Sequence, residues 1–163
     1  MPRSARATRG LEIVIPGWER PLRIDHVVLD FNGTLAVDGR LVRGTRARLR
    51  RLAAAVDVVV LTADTFGTAR RALDGLDVMV RRARSGSEKR RLIASLDPAS
   101  VAAIGNGKND VPMLRAAALS VAVIGGEGAC VDLLQVATVV VREPTEALDL
   151  LLEPRRLMAT LRL

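Results

Sequence analysis

A chain of 163 residues holds one domain with a full core and leaves little room for a second. Its aromatic residues are Phe31, Phe66 and Trp18, so Val, Leu, Ile and Ala must build that core, and a binder that stacks nucleic-acid bases on aromatic platforms is argued against. The formal charge of +7 rests almost wholly on arginine and reads as a solvated basic face, with Arg81, Arg82, Arg84, Arg90 and Arg91 available to draw anionic substrates.

Residues 1–10 read as a disordered basic arm, and residues 11–163 as one domain. Residues 11–15 and 22–24 form two short strands across the Pro16-Gly17 turn, with Trp18 packed against them. Neither 11–15 nor any other apolar run is long enough for a signal core or a membrane span, so the chain reads as cytoplasmic. His26 precedes the first core strand and is expected at a solvent or edge position.

Short β-branched runs then recur at 27–31, 56–61, 78–80, 101–104, 121–124 and 139–141. Segments with helical spacing lie between most of them, at 45–55, 66–73, 88–96, 111–118 and 129–134. Continuous Val/Ile runs without polar alternation predict strands buried on both faces. Their alternation with helices predicts an α/β fold with a doubly wound parallel sheet, whose ligands bind outside the carboxyl ends of the strands. Residues 35–42 carry Asp38-Gly39 between apolar flanks, the signal of a tight hairpin and hence a small β flap. Cys130 allows no internal disulfide and is expected buried within a helix. Residues 143–163 read as one or two helices, with Pro154 breaking or restarting the run.

The polar residues that follow the strands carry the chemistry. Val27-Val28-Leu29-Asp30-Phe31-Asn32-Gly33-Thr34 ends a buried strand in a carboxylate that can attack phosphorus, followed by a turn with backbone N–H groups for phosphate oxygens. The bland alternative is an Asx turn. In Leu61-Thr62-Ala63-Asp64 a strand-end hydroxyl can donate to phosphate, while Asp64 or Thr65 can cap the next helix. Lys89, in a chain that otherwise favours arginine, can neutralise Asp30 and a transferred phosphoryl group. Gly105-Asn106-Gly107-Lys108-Asn109-Asp110 supplies hard oxygens for Mg²⁺, or simply caps a helix.

Each motif alone is weak, but their order and spacing resemble the haloacid dehalogenase (HAD) superfamily over residues 27–141, and within it the small soluble P-type-ATPase-like proteins. The resemblance implies a Rossmann-like core without a cap domain. It implies Asp30 as nucleophile, Asn32 at the usual acid/base position, and Lys89 beside them. Thr62, Ala63, Lys89 and Gly33 would bind phosphate. Asp30, the Asn32 carbonyl, Asn106 and Asp110 would hold Mg²⁺, with Thr34, Asp64 and Asn109 in supporting places. A phosphorylated small molecule or macromolecular phosphate is the expected partner, and a second copy of the chain is a candidate to close an uncapped site.

Two positions depart from the family pattern. Asn32 and Asn106 stand where Asp is usual, which removes a general acid and weakens the cation site. Expected outcomes are an enzyme restricted to activated donors, a slow transferase helped by Asp64, or a non-catalytic phosphate-binding module. Both positions are Asn-Gly pairs, so deamidation to Asp is a further route to activity.

Overall fold

The computed structural model describes residues 9–64 and 67–163. An antiparallel hairpin comes first, β1 (Leu11–Ile13) against β2 (Leu22–Ile24). Six parallel strands then make the main sheet. They are β3 (His26–Asp30), β6 (Asp57–Thr62), β7 (Met79–Arg82), β8 (Val101–Gly105), β9 (Leu119–Val123) and β10 (Val139–Val141), in the spatial order β10-β9-β8-β3-β6-β7. Between β3 and β6 lie a small hairpin, β4 (Ala36–Val37) with β5 (Arg40–Leu41), and helix α1 (Thr45–Ala55).

The central strands explain the continuous apolar runs. Val27 and Leu29 of β3 face one layer with Leu49, Leu52 and Leu148, and Val28 faces the other with Val59, Ala103 and Ile93. The first layer is covered by α1, α6 (Pro144–Leu152) and α7 (Pro154–Leu161). The second is covered by α3 (Gly86–Ser95), α4 (Val111–Ala116) and α5 (Val131–Leu134). The short α2 (Thr68–Ala72) links β6 to β7 and adds Ala69 to the first layer. The two edge strands depart from the expectation of burial on both faces: Met79, Arg81 and Arg82 of β7 and Val140 of β10 are exposed.

Several expectations need correction. His26 opens the central strand rather than an edge, with Nδ1 3.9 Å from Asp57 Oδ2. Trp18 does not close over the first hairpin alone; its Nε1 donates to Leu161 O at 3.1 Å, tying the Pro16-Gly17 turn to α7. Cys130 is half-buried and stands just before α5 in an extended conformation, outside the helix. Of the basic arm, residues 1–8 lie outside the described residues, as do Thr65 and Phe66 at the expected start of α2. Arg9 is described, and it pairs with Asp77 at 3.3 Å and with Asp57 at 3.7 Å. Among the described residues no helix is long and apolar enough to cross a membrane.

Because β3, β6, β8 and β9 are parallel, their carboxyl ends share one edge. Asp30, Thr62 and Gly105 end three of these strands there. Among the described residues, only the flap and α1 lie between Asp30 and Thr62, and only α2 and β7 between Thr62 and Lys89, so the edge carries no cap.

Candidate active site

Three charged side chains from separate elements meet at this edge. Lys89 Nζ donates to Asp30 Oδ1 at 2.6 Å and to Asp110 Oδ1 at 2.6 Å. Lys89 is 1% exposed and Asp110 0%. α3 delivers the lysine because Ser85 Oγ accepts the Glu88 N–H at its N-terminus, starting the helix early enough to place Lys89 one turn inside. Burial alone would lower the ammonium's pKa, but Asp30 and Asp110 outweigh it and hold it above the ordinary lysine value. Burial, followed by the charge of Asp110, pushes the Asp30 carboxyl up to about 6, against the opposing pull of Lys89 and the Thr34 hydroxyl.

That shift has a measurable sign. Asp30 holds its proton more tightly folded than unfolded, so its favourable contribution is complete below about pH 4 and lost as pH rises through about 6. In metal-free protein, Asp30→Asn does not titrate there. The variant is expected to gain on the order of 2 kcal/mol relative to wild type between pH 4 and pH 7. Urea melts of both proteins in chelator at the two pH values check this; a constant difference would mean that Asp30 ionises freely.

Asp110, expected among the cation ligands, accepts three hydrogen bonds from within the protein. Its Oδ2 accepts the N–H groups of Asn106 and Gly107, both at 3.0 Å, and its Oδ1 is taken by Lys89. It clamps the Gly105–Asp110 loop and faces the ammonium. Asn109 is exposed, with its Oδ1 turned back on Gly107, and does not join the cluster. Lys108 points outward to Asp132 at 3.2 Å.

The oxygens left for a cation are those of Asp30, Asn106 and Asn32. Thr34 Oγ1 stands 3.3 Å from Asp30 Oδ2 and 3.1 Å from Asn106 Oδ1. One hydroxyl has one proton, so it can satisfy only one of these two acceptors. The orientation of the Asn106 amide is fixed, because its Nδ2 donates to Gly128 O at 2.9 Å. The Asn32 carbonyl accepts no hydrogen bond among the described residues. This all-oxygen set suits Mg²⁺, which binds through one or two carboxylates and keeps several waters. Among the described residues, no three His, Cys, Asp or Glu side chains converge into a metal cage.

The phosphate side of the site is built from β6. Thr62 Oγ1 accepts from Asp64 N at 3.0 Å and from Asn32 Nδ2 at 3.4 Å, which leaves its own proton to donate. Ala63 follows, exposed, with its N–H unbonded among the described residues. Asp64 Oδ2 accepts the Thr68 N–H at 2.7 Å and so ties down the start of α2, whose N-cap is Gly67. Gly33 was expected to lend its N–H to phosphate, but that group donates to Ala36 O at 2.8 Å and anchors the flap. What Gly33 provides is space: at φ +78 it carries no side chain where a Cβ would lie 2.5 Å from both Asn106 Nδ2 and Glu127 Oε2.

The same hydrogen bonds oppose deamidation. The succinimide route needs the following glycine nitrogen to attack the Asn side chain. The Gly33 nitrogen is held on Ala36 O and the Gly107 nitrogen on Asp110 Oδ2.

Glu127 was missed in the sequence. It sits in Gly125-Gly126-Glu127-Gly128, directly after β9, and its Oε1 accepts the Asp38 N–H of the flap turn at 3.3 Å. The available signal was the strand-end rule, which applies to β9 as it does to β3 and β8.

Comparison with known proteins agrees with this edge-on architecture. Residues 84–146 match the family model described as haloacid dehalogenase-like hydrolase. An uncharacterised protein of Methanocaldococcus jannaschii is 40% identical over 90 residues, 51% of this chain and 97% of that protein. The cobalt-bound deoxy-D-mannose-octulosonate 8-phosphate phosphatase of Haemophilus influenzae superposes with a TM-score of 0.67 at 18% identity, covering 85% of this chain and 92% of the other. The 3-deoxy-D-manno-octulosonate 8-phosphate phosphatase of Moraxella catarrhalis, solved with magnesium, phosphate and KDO, gives 0.69 at 14% identity, covering 85% and 94%. At such identities these two structures share the fold with this chain, and their chemistry remains their own.

Proposed function

From the match of residues 84–146 to haloacid dehalogenase-like hydrolases, we propose that the chain works as a member of that superfamily and transfers phosphoryl groups through an aspartyl-phosphate on Asp30, with Mg²⁺ bound beside it. The observation that carries this reading is the buried Asp30–Lys89–Asp110 cluster at the open carboxyl edge of the sheet. An Asp30 oxygen attacks phosphorus. The bond from phosphorus to the leaving oxygen breaks with its electron pair on that oxygen, and an acyl phosphate remains. Water then attacks the same phosphorus and returns the carboxylate and inorganic phosphate. Lys89 faces Asp30 throughout, and the Thr62 hydroxyl and Ala63 N–H meet phosphoryl oxygens. Mg²⁺, held by Asp30, Asn106 and the Asn32 carbonyl, would neutralise the phosphoryl oxygens as a Lewis acid.

The leaving group decides how well this works. An amide at residue 32 cannot give up a proton near neutral pH, so an alkoxide leaves without help. Acyl and aryl phosphates, whose leaving groups are stable as anions, are therefore the donors of choice. Phosphorylated small molecules come first as substrates, in keeping with the activities of the two phosphatase neighbours. Macromolecular phosphates come second, since no cap restricts entry, and a second copy of the chain is the candidate to close the site.

Asn32 also favours one rival, a module that binds phosphate and Mg²⁺ without turnover. Incubation with Mg²⁺ and acetyl phosphate, followed by protein mass and phosphate release, separates the two. A phospho-adduct that borohydride reduces to homoserine at position 30 is the expected result. Binding of Mg²⁺ and phosphate with neither adduct nor release leaves the module.

A further inference from the structure

We propose that Glu127 is the second carboxylate of the cation site, supplying to an ion held by Asp30 and Asn106 the negative charge that an amide at residue 106 lacks. The inference rests on the Mg²⁺ reading above and adds a residue outside the four strand-end motifs.

The need for such a group follows from the placement of Asp110. Asp110 already accepts three hydrogen bonds and holds the loop, while Asp30 accepts one on each oxygen, so Asp30 keeps the most free lone pairs among the expected carboxylate ligands. Asp30 is itself paired to the Lys89 ammonium. A divalent ion would meet one shared carboxylate and two neutral oxygens, a weak field for a hard cation.

Glu127 is built into position to repair this. Its Oε2 and Asn106 Nδ2 crowd the same side of Gly33, each 2.5 Å from the point where a Cβ would sit. The glycines around it allow the approach: a Cβ on Gly125 would meet Gly33 O at 3.2 Å, and one on Gly126 would meet Val37 Cγ2 at 3.1 Å. The loop is fastened to Asn106 at two points, through Asn106 Nδ2 on Gly128 O and Cys130 N on Asn106 O, both at 2.9 Å. The backbone that carries Glu127, itself an exposed side chain, is thus tied to the residue whose amide it would complement. In a chain with 25 Lys and Arg against 18 Asp and Glu, Glu127 forms no ion pair among the described residues. Among the described residues it accepts one hydrogen bond, from Asp38 N. An uncompensated carboxylate beside a cation site raises the local negative potential, and groups just outside the ligands typically carry about 10- to 100-fold in metal affinity.

The test is calorimetric titration of Mg²⁺ into full-length wild type, Glu127→Gln, Asn106→Asp and the double variant, with metal-free melting temperatures alongside. Glutamine keeps an oxygen for the Asp38 N–H and removes only the charge. Glu127→Gln is expected to bind Mg²⁺ about tenfold more weakly with an unchanged metal-free melting temperature. Asn106→Asp in the Glu127→Gln background is expected to restore wild-type affinity. Unchanged affinity in Glu127→Gln would reduce Glu127 to a tether for the flap and overturn the proposal. Absence of Mg²⁺ binding by wild type would overturn the cation reading itself, and this inference with it.

Discussion

Replacing Lys89 by methionine is expected to destabilise the metal-free protein by about 3–5 kcal/mol at pH 7, a large share of the stability of an ordinary domain. Methionine roughly conserves the volume of the lysine stem, so the loss is not one of packing. It comes from leaving the Asp30 and Asp110 carboxylates facing each other without the ammonium that bridges them. Asp110 keeps its two backbone donors, whereas Asp30 keeps only the shared Thr34 hydroxyl. Asp30 therefore takes up the proton, and its pKa, already raised to about 6, rises further in the variant. The sign follows. Lowering the pH from 7 towards 5 protonates Asp30 in the variant and removes its charge, so the stability gap to wild type narrows. Urea denaturation at both pH values measures this, and a pH-independent loss below about 1 kcal/mol would show that the cluster is solvated. Arginine should not substitute, because a planar fork cannot place one compact charge between two facing carboxylates.

Asn32→Asp is the second large effect, this time on rate. Restoring a carboxyl group at residue 32 is expected to raise turnover of alkyl phosphates by about 10²–10⁴, the usual worth of general acid catalysis. Acyl phosphates should change little, because their leaving group needs no proton. The side chain is well placed for this contrast. It is exposed towards the opening, and its amide now donates to Thr62 Oγ1 at 3.4 Å. A carboxylate there would reverse that hydrogen bond and accept the Thr62 proton. Weaker phosphate binding, seen as a higher KM, should accompany the faster step. Measuring kcat and KM across leaving groups of graded basicity gives the answer. Equal rates for wild type and variant on every donor would show that proton delivery does not limit this site.

Much of this architecture was legible because burial on both faces leaves a plain trace. The runs at β3, β6, β8 and β9 are continuous because each strand lies between helical layers, whereas β10 is an edge strand whose Val140 is exposed. β7 was harder to bound, since an edge strand needs apolar side chains only where it touches its neighbour, and Arg81 and Arg82 fit that environment. At the site, the convergence of Asp30, Thr62, Lys89 and Asn106 followed from parallel strands sharing one carboxyl edge. The errors concern direction. Sequence places Asp110 at the start of a helix but cannot tell that both its oxygens turn inward to Lys89 and the loop. It places Gly33 in a turn but cannot tell which carbonyl takes its N–H. Glu127 escaped because one carboxylate among three glycines looks like an ordinary loop.

The tie between the N-terminal hairpin and α7 has an optical consequence. Trp18 is the single tryptophan, and its indole N–H rests on Leu161 O. Among the described residues it makes no hydrogen bond to a side chain assembled around Asp30. Intrinsic fluorescence therefore reads the docking of α7 against the hairpin, an event separate from the assembly of the charged cluster. Tyrosine is absent, so no second chromophore blurs that signal. A reporter placed at the flap would watch the other event, and the two emissions together would resolve whether the protein opens at its site before it opens at its seam.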